Sequence, residues 1–303
     1  MLMAMFERVA LIGLGLIASS IAHGCKRGGL AGEVVGTSRS VESRQQAAAL
    51  GYCTVVETPE EAVKDADLVI ICTPVGVMGQ IAEAIAPHLK AGAIVSDVGS
   101  VKRRVVEAIQ PHIPEGVHFV PAHPVAGTEQ SGPTSGFAEL FDGRWLIITP
   151  VAGGNPQAVA QLRAFWEALG SNVTEMDAEH HDLVLAVTSH APHLIAYTMV
   201  GVADDLERIT EEEVITFSAA GFRDFTRIAA SDPTMWRDVF LNNKSATMEI
   251  LGRFTEELLD LQRAIRNEDG EKLHAYFTRT RDIRRGIIDA GQDTSEANFG
   301  RNT

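Results

Sequence analysis

The chain has 303 residues, enough for about two domains, with 45% hydrophobic and 22% charged residues, an ordinary globular balance. A net charge of −14 excludes a broad basic field for nucleic acid, and an acidic chain that takes an anionic metabolite has to gather its arginines locally. Cys25, Cys53 and Cys72 form no disulfide framework, and the two in apolar strand-like runs read as buried thiols of a reducing, cytoplasmic compartment. No run of about 20 apolar residues predicts a membrane span, and the apolar Val9 to Ala22 lacks the basic n-region of a signal peptide.

In chain order, Arg8-Val9-Ala10-Leu11-Ile12 reads as a buried strand, followed by a glycine turn and an apolar helix from Leu16 to about Lys26. Glu33 to Gly36 is a strand, Val41 to Leu50 a helix and Cys53 to Val56 a strand. Glu60 to Lys64 is a short helix and Asp67 to Cys72 a continuous apolar strand. Val77 to Leu89 is helical, Ala93 to Ser96 a strand, Lys102 to Gln110 helical and Val117 to Val120 a strand. Apolar strands separated by helices predict a parallel sheet covered on both faces.

The turn Gly13-Leu14-Gly15-Leu16-Ile17-Ala18 lies between a strand and a helix, where a dinucleotide pyrophosphate needs it. The first glycine permits the tight turn, the second lets backbone approach the phosphates, and the small third position packs helix on strand. After the second strand comes Gly36-Thr37-Ser38-Arg39-Ser40, with no acid for a ribose 2′-hydroxyl. Ser38 and Arg39 suit a 2′-phosphate, which favours NADP; alternatively Arg39 stacks on adenine and NAD is used. Ligands of such sheets sit beyond the carboxyl ends of strands. There the turn Thr73-Pro74-Val75 borders the cofactor, and Ser100 and His123 converge on the nicotinamide. His123 is a candidate base, because oxidising an alcohol requires removal of its proton.

Arg144 to Thr149 is one more strand, and Gly153-Gly154-Asn155-Pro156 starts a helix to Leu169 that opens the second domain. Asp177 caps the next helix. At ~100° per residue, its Asp182, Ser189 and His193 fall within about 40° of one another, with His190 nearby. A polar stripe on an apolar helix, with Pro192 removing a backbone hydrogen bond, suggests a face that lines a site. It could be a substrate pocket, a metal site of His190, His193 and Asp182, or a set of satisfied core histidines; no zinc motif is apparent. Phe222-Arg223-Asp224-Phe225-Thr226-Arg227 alternates arginines with aromatics, which suits a carboxylate. Ser231-Asp232-Pro233 caps a helix near Trp236, and amphipathic helices run from Trp236 to about Asn267 and from Glu271 to Asp289. Their extended apolar faces predict packing across a dimer interface. The predicted class is therefore α/β: an N-terminal Rossmann-type parallel sheet over residues 1–150 and an all-α dimerisation and substrate domain over residues 151–303.

Taken together, the fingerprint, Asp97-Val98-Gly99-Ser100-Val101-Lys102, His123-Pro124-Val125-Ala126-Gly127-Thr128-Glu129, His181-Asp182, Ser189-His190-Ala191-Pro192-His193 and Phe222 to Arg227 resemble the prephenate/arogenate (cyclohexadienyl) dehydrogenases of tyrosine biosynthesis. The resemblance runs from about Arg8 to Asp289. It implies hydride transfer from C4 of a cyclohexadienol to the nicotinamide, with departure of the ring carboxylate as CO2. It implies His123 as the base, Ser100 orienting it or the substrate, Arg227 and His193 on the side-chain groups, and Asp182, Ser189, His190, Thr128, Glu129 and Trp236 completing the pocket. Three positions depart from the pattern: no acid follows the second strand, Ala18 replaces a glycine, and Ala191 stands where a larger apolar residue is usual. No segment after Asp289 is long enough for a regulatory ACT domain and no chorismate mutase domain precedes Arg8, so feedback by tyrosine would act at the active site. Two other readings compete. A β-hydroxyacid dehydrogenase would need a catalytic lysine on the polar helix, and Asp177 to Val202 has none. A non-catalytic dinucleotide-binding protein would not need the polar stripe.

Overall fold

Six strands form one parallel sheet in the computed structural model, which describes residues 4–128, 130–207 and 219–289. They are β1 (Phe6–Ile12), β2 (Ala31–Thr37), β3 (Thr54–Val55), β4 (Leu68–Ile71), β5 (Ile94–Asp97) and β6 (His118–Phe119), in the order β3-β2-β1-β4-β5-β6. This is the doubly wound order, in which the chain reverses direction across the sheet between β1 and β4 and leaves a crevice at their carboxyl ends. The strands alternate between two cores, as a period of two requires. Val9, Leu11, Leu68 and Ile70 face one side, and Ala10, Ile12, Val69 and Ile71 the other. The first face is covered by α1 (Leu16–Gly28) and by Leu162, Phe165 and Trp166 of α6 (Pro156–Ala168). The second is covered by α4 (Met78–Ile85) and α5 (Arg103–Ile109), with α2 (Val41–Leu50) and α3 (Pro59–Val63) completing the crossovers.

A second sheet was not expected. β7 (Ala122–Pro124) pairs antiparallel with β8 (Trp145–Ile148), which pairs parallel with β9 (Asn172–Glu175). The expected strand over Arg144 to Thr149 is present, but β7 falls where a strand-end loop was read. α6 and β9 belong to this layer and pack on the first core. Pro156 still sits at the first turn of α6, capped by the Asn155 side chain on the amides of Gln157 and Ala158.

Beyond β9 the described residues are helical: α7 (Ala178–Leu185), a π-turn (Ala186–His190), α8 (Ala191–Glu207), α9 (Ala220–Thr226), α10 (Pro233–Asn242), α11 (Lys244–Arg266) and α12 (Gly270–Asp289). Asp177 caps α7 and Asp232 caps α10, as the sequence predicts. The single helix expected from Trp236 to Asn267 is two, broken at Asn243. By length and composition the run Ala178–Leu206 would pass as a membrane span, contrary to the expectation from residue runs. It is interrupted by the buried polar residues His181, Asp182 and His190. The chain divides into a unit up to Thr247 and a unit from Met248 onward. In the latter, α11 and α12 are joined through Glu268, in the left-handed conformation, and by an ion pair between Lys272 and Asp260.

One buried ion pair anchors the end of β5. Lys102 and Asp97 are both fully buried; the Lys102 ammonium donates to Asp97 and, at 2.7 Å, to the Ala122 carbonyl of β7. Asp97 also accepts from the amides of Gly99 (2.7 Å) and Ala122 (3.3 Å). The pair thus staples the second sheet to the first. Removing one partner of a buried pair leaves an uncompensated charge, so Lys102→Met is expected to lower unfolding stability by about 3–5 kcal/mol. Urea denaturation measures this, and a loss below about 1 kcal/mol would show that Asp97 needs no cation.

Candidate active site

The glycine turn is shaped for a dinucleotide. Gly13 has φ +100°, and a Cβ there would lie 2.7 Å from the Cys72 carbonyl oxygen. A Cβ on Gly15 would meet nothing within 4 Å, so the backbone faces open space where a pyrophosphate approaches. Gly15 is the N-cap of α1 and offers no side chain to the helix amides, which remain available to phosphate oxygens. Leu14 is buried beneath the turn, and Leu16 and Ile17 begin the helix. Across the crevice lies the Thr73-Pro74-Val75 turn, where the buried Thr73 hydroxyl has no hydrogen-bond partner among the described residues. An open cradle, free helix amides and an orphaned hydroxyl fit a bound dinucleotide.

At the end of β2 the Thr37 hydroxyl is used internally, donating to the Glu57 carbonyl at 3.1 Å. Ser38 and the exposed Arg39 follow, and a second guanidinium, missed in the sequence, joins them. Arg44 of α2 donates to the Ser38 carbonyl and, at 3.3 Å, to that of Arg39. Its position four residues into a helix gave no sign that it folds back over the turn.

The centre of the site is a chain of three side chains. His123 Nδ1 lies 2.9 Å from His181 Nε2, and His181 Nδ1 lies 2.8 Å from Asp182 Oδ1. The two rings meet edge to face, at 67°. His123 comes from β7, at the carboxyl end of the parallel sheet, and His181 and Asp182 from α7. Asp182 was read as pocket lining; instead both its oxygens are taken. Oδ1 accepts from the Lys102 amide (2.7 Å) and Oδ2 from the Arg103 amide (3.0 Å), so Asp182 caps α5 from another element. Its position supports the site rather than facing a substrate. His181 was noted only as part of a motif; a residue adjacent to Asp182 on a helix points about 100° away, which hid that both serve one network.

The π-turn corrects the expected stripe. Wide turns of this kind are frequent at functional sites. Here the Ala191 amide bonds the Ala186 carbonyl. Widening relieves the clash that Pro192 would make with the preceding turn of a regular helix. A wider turn rotates less per residue, so the downstream chain lags. The lag carries His190, rather than Ser189, to the face of Asp182. Asn243 Nδ2 then reaches both, 2.8 Å from the Asp182 carbonyl and 3.0 Å from His190 Nδ1. His190 is fully buried and next to the Ser100 backbone. Its Nδ1 is met by Asn243, while its Nε2 is buried with no hydrogen-bond partner among the described residues.

His193 forms a second group. Its Nδ1 donates to the Ser189 carbonyl at 2.8 Å, so Nε2 faces outward as an acceptor. The ring stacks on Trp236, with centroids 3.7 Å apart and planes at 27°. The buried Trp236 indole N–H has no hydrogen-bond partner among the described residues, and Arg227, at the end of α9, is near enough to press on the charge of His193. Ser100 follows β5, half-buried, and no hydrogen bond joins its hydroxyl to His123 among the described residues. Thr128 lies in the exposed loop after β7, its hydroxyl accepting from the Gln130 amide. Glu129 lies outside the described residues. Among the described residues no three His, Cys, Asp or Glu side chains gather into a metal-binding group.

Burial sets the protonation of the site. His123 is held well below the ordinary histidine range, by desolvation first, with the Lys102 charge adding to it. Desolvation lowers His181 against the opposing pull of Asp182, and lowers His190 to about 4. His193 is lowered by burial too. All four are neutral at neutral pH, and a neutral, desolvated imidazole is a proton acceptor.

Residues 21–175 match the family described as prephenate dehydrogenase, nucleotide-binding domain, and residues 177–279 match prephenate dehydrogenase, dimerization domain. The two matches meet at Met176. The chain is 42% identical over 284 residues to a cyclohexadienyl dehydrogenase of Zymomonas mobilis, covering 93% of this chain and 96% of that protein. It is 34% identical to a prephenate dehydrogenase of Bacillus subtilis, covering 93% of this chain and 76% of that protein. A crystal structure of Aquifex aeolicus prephenate dehydrogenase in complex with hydroxyphenyl propionate and NAD+ superposes with a TM-score of 0.85 at 33% identity, covering 93% of this chain and 98% of that one.

The depressed histidines predict an acid-labile fold. In the unfolded chain they take up protons near pH 6.5, while His190 in the folded protein resists until about 4. Below pH 6.5 the unfolded state therefore binds more protons, and stability, complete above that pH, is lost as pH falls toward 4. The melting temperature should drop by several degrees from pH 7.5 to 5, and His190→Gln should flatten that slope. An unchanged slope in the variant would remove His190 from the account.

Proposed function

This chain belongs to the prephenate dehydrogenase family, and we propose that its own residues carry out the family's reaction as follows. It is an oxidoreductase that oxidatively decarboxylates a cyclohexadienol of the prephenate or arogenate kind in tyrosine biosynthesis. The observation that carries the reading is the buried, neutral His123 at the carboxyl end of a sheet whose glycine turn is open for a dinucleotide.

The bound dinucleotide supplies the acceptor for the hydride that leaves C4. His123 accepts the proton of the 4-hydroxyl, so that oxygen can push electrons toward C4 as the hydride departs. The bond between the ring and its carboxylate breaks, its electron pair completing the aromatic ring and releasing CO2. The proton then returns to what is now a phenol oxygen. Ser100, at the end of β5, is suited to hold the hydroxyl in line with His123. The outward Nε2 of His193, the Trp236 indole and Arg227 are suited to the substrate side chain, the arginine to its carboxylate. Neutral histidines cannot attract a dianion by charge, so that task falls to Arg227.

The Ser38, Arg39 and Arg44 cluster, with no carboxylate between Gly36 and Ser40, supports NADP over NAD. Stacking of Arg39 on adenine is the alternative, and NAD then serves. The exposed apolar residues of the helical part, including Val187, Met199, Val202 and Leu206, support a homodimer. Its three cysteines are all free thiols, and Cys25 and Cys53 are pushed up to about 12 by burial, which suits the cytoplasm.

Steady-state assays of prephenate and arogenate with NAD and NADP test the whole reading. Loss of the base in His123→Asn is expected to lower kcat by about 10²–10⁴; near-normal turnover would remove His123 from that role. Arg39→Ala should raise KM for NADP at least about tenfold while leaving NAD within about twofold, as expected for a lost charge-assisted contact. Equal loss with both cofactors, or none, would count against a 2′-phosphate contact.

A further inference from the structure

We infer that His181 is a positioning residue, which fixes the tautomer of His123 and couples it to the Asp182 carboxylate, so that Nε2 of His123 takes the substrate proton. The inference rests on the proposed role of His123 as the base. It follows from the donors and acceptors in the chain of three. An ionised carboxylate only accepts, so His181 Nδ1 must carry a hydrogen and donate it to Asp182 Oδ1 across 2.8 Å. His181 is fully buried and neutral, so its Nε2 has a lone pair and no hydrogen. That nitrogen lies 2.9 Å from His123 Nδ1, which must therefore be the donor. His123 is left with its lone pair on Nε2, the nitrogen that His181 does not engage.

The geometry is fixed at the far end. Asp182 is held by the Lys102 and Arg103 amides, and its main-chain carbonyl by Asn243. A carboxylate so anchored leaves His181 one orientation, and His181 leaves His123 one tautomer. The logic is that of a base oriented by a third group, lengthened by one imidazole.

The chemistry also accounts for the burial of the relay. The hydroxyl proton moves to Nε2 while the O–H electron pair stays on oxygen, and it returns when the phenol forms. No proton is released over the cycle, so the relay needs no path to water. It has only to stabilise an imidazolium for the lifetime of the step, which His181 does by accepting from Nδ1–H with Asp182 behind it.

Two measurements test this. Nitrogen-15 spectra of the imidazole-labelled protein read the tautomer directly, without turnover. A hydrogen on His123 Nδ1 and none on Nε2 is expected, and the opposite tautomer would overturn the inference. The second compares His181→Phe, which keeps the volume but cannot accept, with His181→Gln, whose amide oxygen can replace Nε2. His181→Phe is expected to lower kcat by about 10²-fold, with substrate KM within about threefold, and to move the acidic limb of the kcat/KM profile to lower pH by about one unit. His181→Gln should recover at least about tenfold of kcat. Equal activity of the two variants, or a His181→Phe profile unchanged from wild type, would make His181 a packing residue only. A wild-type chain that oxidises neither prephenate nor arogenate would instead overturn the functional reading, and the spectra would still decide the tautomer.

Discussion

Everything at this site hangs from the carboxylate of Asp182. A buried carboxylate is costly unless its lone pairs are met, and here three N–H groups meet them: two amides at the start of α5 and the ring nitrogen of His181. The amides stand at the positive end of the α5 dipole, which favours an anion there. The same contacts bind the helical part to the loop after β5, the loop that carries Ser100. Asp182 therefore sets the distance between the sheet and α7, and with it the distance between His123 and His181. Around it, Lys102 is matched by Asp97, so the buried set carries one negative charge in excess while His123 is neutral. When His123 takes a proton the excess is cancelled. The surroundings thus favour the charged state that exists only during the reaction, which is where stabilisation raises a rate.

Much of this was legible in the residues. The alternating apolar strands, the glycine turn and the caps at Asn155, Asp177 and Asp232 are local signals, and they yield the parallel sheet and the helix starts. His123 and Trp236 were singled out because strand ends and aromatic-rich helix starts are where such sheets and helices present their chemistry. What escaped was non-local. β7 is three residues long, includes His123 and Pro124, and shows no apolar alternation; only β8 makes it a strand, and proline is tolerated there because the strand is at an edge. The same omission hid β9, which is a strand only through β8. The polar stripe assumed a regular helix, whereas Pro192 forces a wide turn and exchanges Ser189 for His190 in the network. Lys102 appeared only as the end of a motif, and Arg44 and Asn243 gave no sign at all, since each acts on a backbone carbonyl or a side chain distant in sequence.

The run from Ala178 to Leu206 joins two demands that conflict in one helix. Its inner face must supply His181, Asp182 and His190 to a polar network, and its other faces expose Leu183, Val187, Met199, Val200, Val202 and Leu206. An apolar surface on that scale is not left to water. Length and composition alone would allow a lipid environment. The charge argues otherwise: a buried Asp182 satisfied by amides of the nucleotide-binding part cannot be carried into a bilayer without breaking those bonds. Residues 177–279 match a dimerization domain, and the homodimer proposed above would cover this surface while leaving the Asp182 contacts whole.

Burial also explains why the anion-binding groups lie where they do. Dehydrating the histidines makes His123 a competent acceptor but removes their charge, and a site of neutral imidazoles in a chain of net charge −14 would repel a dianionic substrate. Arginine escapes this trade, because its guanidinium stays protonated under any desolvation met in a protein. The division of labour follows from that difference in basicity. Histidines occupy the dry interior, where a proton must move, and the guanidiniums of Arg39, Arg44 and Arg227 occupy the rim, where charge must persist. A histidine in place of Arg227 would lose its charge on burial, and an arginine in place of His123 could never accept the proton. The order of residue types from rim to centre is thus dictated by what desolvation does to each.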